Sequence, residues 1–201
     1  MVMEKGGWTL EPSGLDATTY PLWVTGRYYG SNLATALSTL TLKQRMYATP
    51  IFAPGANGSL INELGLEITA GGTAGGVARV GIYEDYEGVP WDLLLDAGTI
   101  PIDGVGWQHV DVALRLRGWV WLAVAFSNYA ATPTYRSVSA YVPVLGFTNP
   151  VITTRTGGYI VEADAAIVDV GLFSRFPVNT ASVVLPVATS GLYPRTLVRA
   201  G

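Results

Sequence analysis

The sequence predicts an all-β fold, an antiparallel β-sandwich with an N-terminal arm. Three observations carry that prediction. Apolar and polar residues alternate over several stretches of strand length, the period of a strand with one buried face. The 24 glycines and 12 prolines are spread along the chain and not gathered in one linker, the punctuation expected of many short strands. No sustained helical period follows residue 45, and strands without intervening helices pair antiparallel in a sandwich or barrel.

Residues 1–44 read differently from the rest, with Gly6, Gly7, Pro12, Gly14, Pro21, Gly26 and Gly30 breaking the stretch. Between Ser31 and Leu42, residues Leu33, Ala36, Leu37 and Leu40 fall at helical spacing, and Ser31 or Asn32 would cap a short helix. The Thr and Ser content of the same run leaves an extended reading open. We read 1–44 as an attachment arm that packs on a neighbour, with Leu33, Leu37 and Leu40 at a subunit interface. The plain alternative is that it covers the base of its own sandwich. Residues 45–201 then form the sandwich itself.

Met46 to Ala53 is the first expected strand of that domain, and Pro50 confines it to an edge or a bend. In Leu60 to Thr69, Leu64, Leu66 and Ile68 share one face, with Glu63, Glu67 and Thr69 on the other. A glycine-rich turn at 71–76 leads into Gly76 to Glu84, where Val80 and Ile82 point inward and Arg79 and Tyr83 outward. Glu84 to Asp92 reads as a longer connection, followed by a strand from Leu93 to Ile102. The clearest alternation runs from Gln108 to Arg117, with Val110, Val112, Leu114 and Leu116 inward and His109, Asp111, Arg115 and Arg117 outward. Gly118 turns directly into Trp119 to Phe126, and the pair reads as a hairpin. That last strand is apolar on both faces, which suits a central position or a subunit contact. Trp119 and Trp121 are accordingly placed in the core or at a subunit interface. Weaker strands are expected at 135–144, 158–161, 166–173, 181–187 and 193–199.

The 201 residues are 49% hydrophobic and 13% charged, about half the usual charged share. A chain this dry is expected to bury large faces between subunits, as a homo-oligomer or in an assembly. The net charge of -3 argues against nucleic acid as a partner. No apolar run reaches the roughly 20 residues of a membrane span, so no membrane insertion is expected. The opening MVMEKGGWTLEPSG lacks the apolar stretch and cleavage site of a secretory leader.

The residues of most catalytic chemistries are missing. There is no cysteine and one histidine, His109, which the alternation places on a polar strand face beside Asp111. No G-x-S-x-G elbow accompanies it, and a single histidine without cysteine does not assemble a zinc or non-haem iron site. The glycines at 71–76 lie between two strands and open no helix, so they fail as a phosphate loop. We expect no catalytic residue, no cofactor and no metal. Glu84, Asp85 and Glu87, with Asp92 and Asp96 nearby, are the one acidic group that would suit calcium or a carboxylate hydrolase. Their spacing does not match an EF-hand and nothing places two of them across a cleft, so a solvated loop is the reading. Six tryptophans and 11 tyrosines remain. Aromatic faces stack on sugar rings as well as on one another, and the loop aromatics Trp91, Trp107 and Tyr129 are the candidates for ligand contact.

The series RMYATPIFAPG, INELGLEITAGG, ARVGIYEDYEGVPWDLLLDAGTI and GWVWLAVAFS resembles a jelly-roll domain of tailed-bacteriophage structural proteins. Minor tail proteins, head fibres, receptor-binding spikes and related gene-transfer particles carry such domains. The element most like it is VGIYEDYEGVPWDLLLDAG, and TTYPLWVTGRYYGSN resembles the lead-in segment. The likeness covers residues 20 to about 140 and contains no catalytic motif. It implies a jelly-roll-like virion component on the exterior of the particle, commonly a homotrimer. It further implies other virion proteins as partners of the arm, and host surface polysaccharide as a possible ligand. A carbohydrate-binding module not tied to a virion is the alternative.

Overall fold

Leu64, Leu66 and Ile68 are fully buried, as the alternation at 60–69 requires, and they line one wall of a core between two antiparallel sheets. The computed structural model describes residues 22–30, 36–39, 45–126, 133–139, 159–162, 176, 187–188 and 192–201. Among these the regular structure is strand throughout. In chain order the strands are β1 (Tyr28–Tyr29), β2 (Ala36–Thr39), β3 (Arg45–Ala53), β4 (Ser59–Ala70) and β5 (Val77–Tyr86). There follow β6 (Val89–Pro101), β7 (Gly106–Leu116), β8 (Gly118–Phe126) and β9 (Thr134–Ser139). The last are β10 (Tyr159–Glu162), β11 (Val187–Ala188), β12 (Leu192–Pro194) and β13 (Thr196–Ala200).

The front sheet joins β1, β13, β4, β9 and β12, with β7 on β4 and β2 on β9. The back sheet runs β11-β10-β3-β8-β5-β6. From β3 onward the chain keeps crossing between them, which makes the architecture a β-sandwich. Ile61, Leu64, Leu66, Leu116, Tyr135 and Val198 from the front sheet meet Val80, Ile82, Leu122, Val124 and Phe126 from the back. Fully burying such side chains contributes about 1.5–3 kcal/mol each.

β8 has both faces buried. Val120, Leu122, Val124 and Phe126 enter the core between the sheets. Trp121, Ala123 and Ala125 point the other way and form a second apolar cluster with Met46, Ala48, Tyr83 and Phe176. The pattern that suggested a central strand is thus explained by β3 on one side of β8 and β5 on the other.

Several expectations are corrected. β7 and β8 are not a hairpin: β7 pairs with β4 in the front sheet, and β8 with β3 and β5 in the back. Gly118 is therefore an inter-sheet corner. The supposed long connection at 84–92 is a tight hairpin, because β5 and β6 stay paired to Tyr86 and Val89. Its two central residues, Glu87 and Gly88, have φ of 53° and 82°, the left-handed pair that matches the twist of flanking strands. Tyr83 faces away from the main core, as predicted, yet is fully buried, with its ring edge-on to Phe176 at 6.0 Å. Burial and the nearby Asp96 charge hold its phenol far above the usual value.

The helical alternative for 31–42 fails at its described residues, since Ala36–Thr39 is a strand paired with β9. Within 1–44, β1 and β2 are members of the front sheet. The cause is backbone pairing: β1 pairs with β13, and the neighbouring Gly26 and Arg27 exchange bonds with Ala200. The expected strand at 166–173 lies outside the described residues. Pro50 fits within β3 because β10 pairs with residues 45–48, leaving β8 as its one neighbour there among the described strands.

Trp121 is fully buried and donates its indole N–H to Asp85 Oδ1 at 2.7 Å. Of the two places the sequence leaves open for it, core or subunit interface, this is the core one: its surface is covered by its own chain. Trp121→Ala is expected to cost about 3–5 kcal/mol, and Trp121→Phe, which removes chiefly the hydrogen bond, about 1–2 kcal/mol. Urea unfolding checks both. Unchanged protomer stability with dissociation of an oligomer would return Trp121 to an interface.

Candidate functional site

The outward face of the front sheet is set by the same alternation that builds the core. With Leu64 and Leu66 inward, Glu63, Gly65 and Glu67 point out. Strand register then aligns side chains in rows across four strands. Asp111 of β7 lies opposite Glu63 of β4, Glu63 opposite Arg199 of β13, and Arg199 opposite Tyr28 of β1. In the next row His109, Gly65 and Leu197 are neighbours, and beyond it Trp107 faces Glu67.

Trp107 does not stay in its own row. Its indole N–H reaches diagonally to Glu63 Oε2 at 2.9 Å. Between Glu63 and Glu67 the outward position of β4 is Gly65, so the indole crosses a gap in the row of side chains. Gly65 is required for a second reason: a Cβ there would lie 2.1 Å from the Gln108 carbonyl oxygen. The indole is also flanked by rings, nearly parallel to His109 at 5.9 Å and edge-on to Tyr28 at 5.1 Å.

Glu63 is the hub of this arrangement. Arg199 Nη1 donates to its Oε1 at 2.7 Å, and the Tyr28 hydroxyl donates to Oε2 at 3.2 Å. His109 Nε2 stands 4.0 Å from Glu63 Oε2 and 3.8 Å from Asp111 Oδ1. Burial pushes the Glu63 carboxyl upward, but hydrogen bonds from Trp107 and Arg199, with the charges of His109 and Arg199, outweigh it. The net shift is below the ordinary glutamate value. Glu63 is an ionised anchor and a poor proton donor.

Beside this hub lies a cleft of about 1070 Å³, at the upper end of the roughly 300–1,000 Å³ typical of ligand pockets. Trp107, Tyr28 and Leu22 contribute apolar surface, and Arg27, Arg195 and Glu67 contribute charge. Glu67 Oε2 accepts from Arg195 Nη2 at 3.0 Å and from Arg136 Nε at 3.2 Å. Arg195 Nε is buried with no hydrogen-bond partner among the described residues. One wall is residues 22–30, held by the parallel stack of Trp23 on Tyr29 at 4.8 Å and by the Val24 N–H donating to the Tyr29 hydroxyl at 2.6 Å. Aromatic faces, guanidinium forks and a fixed carboxylate suit a ligand with apolar ring faces and polar edges.

The predicted site residues do not converge. Trp107 lines the cleft. Trp91 lies elsewhere, on β6 of the back sheet, with its ring 5.1 Å from that of Tyr86. Tyr129, Leu33 and Leu40 lie outside the described residues, and Leu37 is placed by backbone alone, opposite Arg136. Trp119 is exposed and packs edge-on against exposed Phe52 at 5.3 Å. In the acidic group, Asp85 accepts from Trp121 and from the Gly88 N–H, and Asp96 is bound by Arg79 at 2.8 Å and by the Phe176 N–H at 3.0 Å. These two carboxylates serve the back sheet. Tyr28, Arg27, Glu63, Glu67, Arg195 and Arg199 were not singled out as site residues; outward acidic positions on the 60–69 strand were the available signal.

Glu63 links this site to stability. Its folded pKa lies below its unfolded value, so its contribution is complete above the unfolded pKa and is lost as pH falls through the folded one. Between pH 7 and pH 3, Glu63→Gln should lose less stability than the parent chain. Denaturant midpoints at the two pH values check this, and equal losses would show that Glu63 gains nothing from its partners. Comparison with protein-family models, with curated proteins and with solved structures finds no match for this chain.

Proposed function

We propose that the protein is a non-catalytic structural and adhesive β-sandwich, a component of a phage particle exterior that meets host surface glycan through the front-sheet cleft. The observation that carries the glycan part is Trp107, held across the sheet by Glu63, His109 and Tyr28 at the edge of a cleft lined by charged side chains. A ring fixed in this way offers a sugar a stacking surface with little side-chain entropy left to lose. The particle setting rests on the resemblance to tailed-phage jelly-roll domains given above. A free carbohydrate-binding module would use the same cleft, and detection of the protein in purified virions by immunogold labelling separates the two.

Self-association is part of this reading. Leu22, Val24, Phe52 and Trp119 are exposed large apolar residues. Phe52 borders the main cleft and a smaller pocket that also includes Trp119. Exposed apolar surface of this kind favours a partner, and a closed symmetric oligomer, a trimer by the resemblance, is the economical one.

Two outcomes are expected. Trp107→Ala should reduce glycan binding about tenfold or more, since a lost aromatic anchor costs about 2 kcal/mol, with the β-sheet circular dichroism retained. Binding unchanged by that substitution would move the site elsewhere. Trp119→Lys should lower the mass in solution toward that of a protomer by light scattering, and an unchanged mass would remove this patch from the interface.

A further inference from the structure

We infer that the cleft selects an anionic glycan, one bearing sugar carboxylates, over a neutral one; this rests on the reading of the cleft as a glycan site. The reason is its charge balance. Among the described residues lining the cleft, Arg27 and Arg195 face a single carboxylate, Glu67. That carboxylate is shared, because Glu67 Oε2 already accepts from both Arg195 and Arg136. The neighbouring carboxylate, Glu63, is held by Arg199, Trp107 and Tyr28, so it does not offset the surplus. Arg27 is exposed, and its guanidinium has no ion-pair or hydrogen-bond partner among the described residues. The cleft is thus cationic in a chain of net charge -3.

A planar guanidinium matches a carboxylate in two-point geometry. A carboxylate on the ligand would meet Arg27 in the open cleft. The apolar faces of the same sugar would lie along Trp107 and Tyr28. An acidic peptide would also satisfy the arginines, but a glutamate or aspartate side chain brings no apolar ring face to Trp107 and Tyr28.

The test uses the full chain on a glycan array holding uronic-acid, sialic-acid and neutral glycans. Calorimetry follows at low and high salt, with the best binder, its carboxyl-reduced form and poly-glutamate. Acidic glycans should dominate the array, and carboxyl reduction should weaken binding about tenfold or more. Arg27→Gln should weaken binding of the acidic form about fivefold and of the reduced form by less, and affinity should fall as salt rises. Neutral glycans bound as tightly as acidic ones, or no change with Arg27→Gln, would overturn the charge inference and leave the glycan reading standing. Poly-glutamate binding as well as the glycan would overturn it in favour of acidic peptide. A folded protein that binds nothing on the array would overturn both.

Discussion

Burial of β8 on both faces is the constraint on which the rest of this structure depends. A strand covered on one side only can be apolar at alternate positions; β8 is apolar at nearly all of them. Leu122, Val124 and Phe126 hold the two sheets together, while Trp121, Ala123 and Ala125 need cover on the opposite face. Phe176 and Tyr83 supply it, and two polar contacts fix that cover in place. Asp85 takes the Trp121 indole N–H, and Asp96, gripped by Arg79, takes the Phe176 backbone N–H. Buried polar groups of this sort stabilise only when fully partnered, and here the partners come from the hairpin strands β5 and β6. The acidic residues that looked like a loop site therefore secure the back sheet.

Covering the back sheet leaves the front sheet to carry the polar face. Its outward residues form cross-strand rows of opposite charge and aromatic rings, the pairs that stabilise sheets. Glu63 sits where four strands contribute at once, and it ties β1 near one end of the described chain to β13 near the other. The cleft beside it depends on that tie, because Tyr28 and Arg27 are positioned by the pairing of residues 26–29 with the last strand. Loss of the Glu63 hub would loosen one wall of the cleft as well as the seat of Trp107.

The faces of β4, β5 and β7 were legible in the sequence because alternation is a local property. Val80, Ile82, Leu64, Leu66 and Ile68 fall inward as read. Partner choice was not legible, because it depends on residues far apart along the chain. Two strands joined by Gly118 look like a hairpin until Ser59–Ile68 competes for β7 and Arg45–Ala53 competes for β8. Tyr83 looks outward-facing until Phe176 covers it. The Glu87–Gly88 turn was missed because Glu is not a residue that advertises a left-handed conformation. In the cleft, Trp107 could be picked out as an aromatic, whereas Arg27, Arg195 and Tyr28 join it only through register with strands more than a hundred residues away.

We propose that the working surface is the front-sheet cleft, with Trp107 the fixed aromatic ring at its edge. The most direct measurement is a titration of the isotopically labelled protein with an acidic oligosaccharide, following the six tryptophan indole N–H signals by NMR. The Trp107 signal should shift with ligand, together with the backbone amides of Arg27 and Tyr28, while those of Trp91 and Trp121 stay in place. Shifts confined to Trp91 and the Tyr86–Val89 turn would contradict the account.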